Sequence, residues 1–207
     1  MLFSYFFELL IASVLISSFI FLFRPNVASL VIGGSAVAFF AVMVELYLQH
    51  LTSGMFVLLI GAPIIEEILK LMGTVHGKSV SNAIGVGAGF AMVENAFYLS
   101  VVFSSFSITA ALAYVIARGI GDPLLHSSAT SISVKTWGGS KSALPKAIGL
   151  HFAYNLWAVV LVASPDIFKF EPAVLIALLL FLLHKTGYLN ILKIRMQKWM
   201  TGQETAA

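Results

Sequence analysis

Gly61-Ala-Pro-Ile-Ile-Glu66-Glu67-Ile-Leu-Lys70 is the stretch on which the fold turns. It lies inside an apolar run that starts near Met55 and continues past Met72. Two adjacent carboxylates and an ammonium are thus set in what otherwise reads as lipid-soluble helix. A charge at the centre of a bilayer costs roughly 2.5–3.5 kcal/mol on insertion scales. A membrane span carries that cost where partners offset it and function requires it, so the rest of the sequence is read for those partners.

Composition agrees with a membrane setting. Of 207 residues, 59% are hydrophobic and 10% charged, and the mean hydropathy is +0.98. Soluble domains carry about 25% charged residues. The net charge of +3 is small and its basic residues are scattered, which excludes a nucleic-acid-binding surface. With no cysteine there is no thiol nucleophile, no Cys-based zinc site and no disulfide. The chain reads as one all-α integral membrane domain over residues 1–207. A span needs about 20 apolar residues, and seven are expected, near 2–23, 27–49, 54–74, 82–103, 108–134, 143–163 and 172–189. The first has Glu8 inside it and no basic start, so it reads as a retained span rather than a removed signal peptide.

Loop charge sets the expected orientation. With the N-terminus outside, the cytoplasmic side carries Arg24, Lys78, Lys135, Lys141 and Lys146, and the outer loops carry only Lys169, offset by Asp166 and Glu171. The C-terminus is then cytoplasmic. Residues 190–200 form a basic amphipathic tail suited to an anionic inner surface.

Four further observations concern polar residues within spans. Glu66 and Lys70 are four apart, share a helix face and can pair, whereas Glu67 points about 100° away and needs another partner. Glu94 and Asn95 follow Gly85, Gly87 and Gly89 on the fourth span, and Gly85 with Gly89 makes a small-xxx-small face for a close helix. Arg118, Asp122, His126 and Thr130 form an unbroken i, i+4 stripe. Arg118 and Asp122 are expected as a structural pair, and Pro123 should kink this helix and free the carbonyl of Gly119. His151 and Asn155 share a face of the sixth span. Glu45, His50 and Glu8 read as interfacial and are assigned no role.

Counting residues gives depth. Glu66 and Glu67 lie seven or eight residues before Thr74, Glu94 twelve after Asn82, His126 eight before Val134 and His151 eight after Ala143. At 1.5 Å per residue all are roughly 12–18 Å from the cytoplasmic end. Four helices therefore carry their ionisable groups to one level, a set suited to hydrolysis. Glu66 can act as general base, supported by Glu67 and Lys70. Glu94, His126 and His151 can hold Zn2+ with a position left for water. Alternatively, the histidines and Asn155 can hydrogen-bond a developing oxyanion without metal, with Asn95 and Thr130 in support. A non-catalytic scaffold and a proton or ion carrier would use the same polar cluster, although a carrier usually shows repeated halves. Gly119-Ile-Gly121-Asp122 looks like a presenilin-type motif, but its second aspartate is missing from the spans, since Asp166 falls in a loop.

In order along the chain, Glu66-Glu67-x-x-Lys70, Phe90-x-x-x-Glu94-Asn95, His126-x-x-x-Thr130 and His151-x-x-Tyr154-Asn155 resemble the PrsW family of intramembrane proteases, a branch of the superfamily that includes type II CAAX prenyl proteases and the APH subunit of gamma-secretase. The CAAX enzymes carry histidine where Glu94 stands, which favours the PrsW branch. The resemblance implies a prokaryotic membrane endopeptidase making the first cut in single-span proteins such as anti-sigma factors, with Glu66 and Glu67 as the catalytic pair. An APH-like scaffold is the alternative it leaves.

Overall fold

The computed structural model describes residues 28–75, 77–102, 117–164 and 170–185, and within these every regular element is helical. The expected first span and the basic tail lie outside the described residues. The helices are α1 (Ala28–Leu51), α2 (Ala62–Gly73), α3 (Val80–Val102), α4 (Asp122–Ser133), α5 (Ala143–Ala163) and α6 (Glu171–Lys185). Each overlaps one of the six later apolar stretches read from the sequence, α2 and α4 covering part of theirs. Among the described residues one stretch, Leu30–Leu51, is long and apolar enough by itself to cross a membrane.

The packing is inside-out relative to a soluble domain. Glu66, Glu67, Lys70, Glu94, Arg118, Asp122, His126 and His151 are all buried. Ile60 in the turn before α2 and Ile64, Ile68 and Met72 on it form an exposed i, i+4 stripe on the other side, and Ile32, Phe39, Phe40 and Met43 are exposed on α1. Exposed apolar area on that scale is unfavourable in water and favourable against lipid.

Small residues set the helix spacing. A Cβ on Gly34 of α1 would meet the Val86 backbone of α3, and one on Gly89 of α3 would meet the Val31 carbonyl of α1. Ser35 Oγ donates to the Gly89 carbonyl at 3.1 Å across the same contact. Gly87 faces the other way, against the backbone of His126 and Ser127 on α4. The close approach expected of Gly89 is made toward α1, and Gly87 adds a second close approach toward α4. Successive odd-numbered glycines point to different sides of a helix, so each serves its own neighbour.

Two helices begin with a π-turn and a proline. Val57–Gly61 is π-helical and leads into α2, with Pro63 in the first turn. Ala117–Gly121 is π-helical and leads into α4, with Pro123 in the first turn. In the first turn Ala62 N–H reaches back five residues to the Val57 carbonyl. The same register makes Leu58 the carbonyl that Pro63 leaves without a donor, and Arg118 the carbonyl that Pro123 leaves. The expectation that Pro123 frees Gly119 assumed an α register and is corrected here by one residue.

At the far end, Trp137 Nε1 donates to Thr74 Oγ1 at 3.0 Å and Lys78 Nζ stands 5.2 Å from the Trp137 ring centroid. This contact ties the end of α2 to the 3-10 turn Val134–Gly138, which closes on Gly139 at φ 88°.

Candidate active site

Glu66, Glu67 and Lys70 come from α2, Glu94 and Asn95 from α3, Asp122, His126 and Thr130 from α4 with Arg118 just before it, and His151 and Asn155 from α5. The structure brings the carboxylates, the two cations and the two histidines into one buried network. Lys70 is paired most closely with Glu67, three residues before it, and lies 3.6 Å from Glu66 Oε2. The expected Glu66–Lys70 pair is therefore the looser of two. Residues three and four apart both face each other on a helix, and here the shorter spacing wins. Glu67 also has the second partner its direction called for, His151 Nδ1 at 3.0 Å.

His126 sits at the centre. Lys70 Nζ is 2.7 Å from its Nδ1, and Glu94 Oε2 is 2.6 Å from its Nε2. An ammonium has only protons to offer, so Nδ1 is the acceptor and the ring proton belongs on Nε2, toward Glu94. Likewise His151 gives its Nδ1 proton to Glu67 and keeps a lone pair on Nε2. The two rings meet edge to face with centroids 5.0 Å apart. Phe90 walls the site, 5.1 Å from the His126 ring centroid and 4.6 Å beneath Lys70 Nζ.

Glu66 Oε2 faces one nitrogen of each ring, of which His126 Nδ1 is the one that accepts from Lys70. The oxygen is 3.7 Å from His126 Nδ1 and 3.8 Å from His151 Nε2, and this buried atom makes no hydrogen bond. These distances are too long for direct hydrogen bonds and suit a small species held between the groups.

Two sets of side chains are close enough to hold a metal ion: Glu66 with His126 and His151, and Glu94 with Asp122 and His126. The second already contains a cation, because Arg118 Nη2 lies 2.5 Å from Glu94 Oε1 and 2.5 Å from Asp122 Oδ2. The expected set of Glu94, His126 and His151 does not converge on one point. Glu94 touches His126 on Nε2, the ring edge opposite the one that faces Glu66. The Arg118–Asp122 contact is present, and Glu94 joins it as a third member.

Three expected residues are engaged elsewhere. Thr130 Oγ1 donates to the His126 carbonyl at 2.6 Å, within its own helix. Asn155 Nδ2 donates to the Leu58 carbonyl at 2.9 Å. Asn95 Nδ2 donates to the Arg118 carbonyl at 3.1 Å while its Oδ1 accepts from Arg118 Nε at 3.3 Å.

Glu45 was passed over in the sequence and is buried in the structure. Val37 of α1 lies beside Gly73, and Ala38 and Ala41 pack with Ile65 and Leu69. One turn further along α1, Glu45 is level with Glu66 and close enough for the two carboxylates to repel. The signal in the sequence was a helix register, α1 turning back at Thr52 and Ser53 into the helical run that becomes α2.

A helical bundle with lipid-compatible walls and a buried centre of carboxylates and imidazoles defines a class of membrane-embedded proteins with a polar site at their core. The chain matches the PrsW family intramembrane metalloprotease over residues 23–184, more than half its length, and belongs to that family. It is accordingly an integral membrane protein of an intramembrane protease family. No curated protein and no solved structure matches it.

Proposed function

We propose that this chain hydrolyses peptide bonds inside membrane-embedded segments of other proteins, with Glu66 as the proton acceptor for the attacking water. The observation that carries the reading is Glu66 Oε2 at 3.7 and 3.8 Å from two imidazole nitrogens, buried and without a hydrogen bond. A buried unsatisfied acceptor costs about 1–3 kcal/mol. Other buried carboxylate oxygens share that state, but Glu66 Oε2 faces a nitrogen of each imidazole, which suits a site that must receive a water and a carbonyl.

The donor set fits a divalent ion. Glu66, His126 and His151 would hold it, Glu66 then serving as a ligand in place of its role as proton acceptor, with Glu94 and Glu67 on the far ring nitrogens as the carboxylates that orient metal-binding histidines. A bound zinc would lower the pKa of its water to about 7 and polarise the substrate carbonyl. Lys70 would then give up His126 Nδ1 and keep Glu67. The proton placement favours this arrangement over a metal-free oxyanion hole, because both rings turn lone pairs and not N–H groups toward Glu66. Lys70 and the backbone are left as the hydrogen-bond donors for a developing oxyanion.

The substrates we infer are single-span proteins of the anti-sigma-factor kind in a prokaryotic cell membrane, and the orientation is N-terminus outside and C-terminus inside. The test is Glu66→Gln in protein reconstituted with single-span peptides. Replacing a general base by an amide of equal size should lower the cleavage rate by about 10²–10⁴ while leaving a folded protein. A Glu66→Gln protein that cleaves at the wild-type rate would remove Glu66 from the chemistry.

A further inference from the structure

The two proline-led helices share a device that the proposed chemistry does not use. Pro63 lacks the N–H that would reach Leu58 O in the π register, and Asn155 Nδ2 donates to that oxygen at 2.9 Å. Pro123 lacks the N–H that would reach Arg118 O, and Asn95 Nδ2 donates to that oxygen at 3.1 Å. In both cases the amide comes from a different helix. In both cases the residue three beyond the proline projects into the site, Glu66 in one and His126 in the other, and these two face each other at 3.7 Å.

We propose that Asn155 and Asn95 are positioning residues: each side-chain amide stands in for the backbone N–H that a proline lacks, fixing the π-turn and with it the place at which Glu66 and His126 enter the site. A buried carbonyl without a donor is unfavourable. The helix would escape by slipping toward an α register, which moves the orphan from Leu58 to Leu59 and turns every later side chain by about 100° per residue. Asn155, bonded to Leu58 O, opposes that slip. Its Nδ2 is directed at the backbone of the turn before α2, so its effect on Glu66 is exerted through that backbone and not on a substrate oxyanion.

The test is compensation by restoring the missing donor. An alanine at position 63 carries an N–H that can serve Leu58 O, so Pro63→Ala should suppress the damage done by Asn155→Ala. Asn155→Ala is expected to lower Tm in detergent, Pro63→Ala with Asn155→Ala to recover much of that loss, and Pro123→Ala with Asn155→Ala to recover none. The Asn95→Ala and Pro123→Ala pair should behave likewise, with smaller recovery because Asn95 also accepts from Arg118 Nε. If Asn155→Ala does not fold, recovery of folded yield in the double variant is read instead. These readouts need no substrate and stand even if Glu66→Gln shows that the proposed hydrolysis is wrong. On a peptide the wild type cleaves, kcat should recover together with Tm. Loss of kcat in Asn155→Ala that persists when Tm is restored would make Asn155 a substrate-contacting donor and overturn the proposal, as would the absence of any recovery by Pro63→Ala.

Discussion

Replacing Arg118 by glutamine probes the electrostatics on which the site is built. Arg118 Nη2 is within 2.5 Å of carboxylate oxygens from both Glu94 and Asp122, and all three residues are buried. Removing one member of a buried ion pair costs about 3–5 kcal/mol, mostly by stranding the other charge. Arg118→Gln strands two carboxylates, so its cost should reach the upper end of that range. Asp122→Asn leaves Arg118 against Glu94 and loses one charged hydrogen bond, on the order of 1.5–3 kcal/mol. Arg118→Gln with Asp122→Asn strands Glu94 alone and should be more stable than Arg118→Gln, with a coupling of about 0.5–3 kcal/mol. Thermal unfolding of detergent-solubilised protein followed by tryptophan fluorescence measures all three. Strict additivity, or an Arg118→Gln protein no less stable than Asp122→Asn, would refute the three-membered network. An Asp122→Asn protein of full stability that cleaves nothing would instead give Asp122 a place in the chemistry.

Two more outcomes are expected. Metal analysis of purified protein should find a divalent ion whose content falls in His126→Gln and His151→Gln, and a membrane-permeant chelator should inactivate the wild type reversibly. Full activity in protein shown to be metal-free would leave Glu66 and Lys70 to do the work alone. Single cysteines placed at Lys78 and Lys141 of this cysteine-free chain should label from the cytoplasmic side, and labelling of either from outside would invert the orientation.

What could be read in the sequence was whatever helix periodicity controls. The six described helices overlap the expected apolar stretches, and Glu66, Glu67, Glu94, His126 and His151, set at one level by depth counting, do come together in the bundle because rise per residue is nearly constant. Rotation about the helix axis was harder. Glu94 and His126 do touch, but on the ring edge away from Glu66, and no residue count distinguishes the two edges of an imidazole. Arg118 was expected to hold its i+4 neighbour Asp122, and the contact with Glu94 from another helix has no periodic signature. The π-turns before Pro63 and Pro123 shift the freed carbonyl by one residue, onto the oxygens that Asn155 and Asn95 bond, and no residue count shows a π-turn. Glu45 was placed near the outer surface by its distance from the end of α1. Its level with Glu66 depends on the sliding of two antiparallel helices, which small residues such as Gly73 permit.

The ion-pair network has a consequence for the charge balance of the bundle. Its carboxylates are Glu66, Glu67, Glu94 and Asp122, its fixed cations Lys70 and Arg118. The four carboxyl groups outnumber the two fixed cations, so in a low-dielectric interior the balance must be completed by protons held among them or by a cation drawn in from outside.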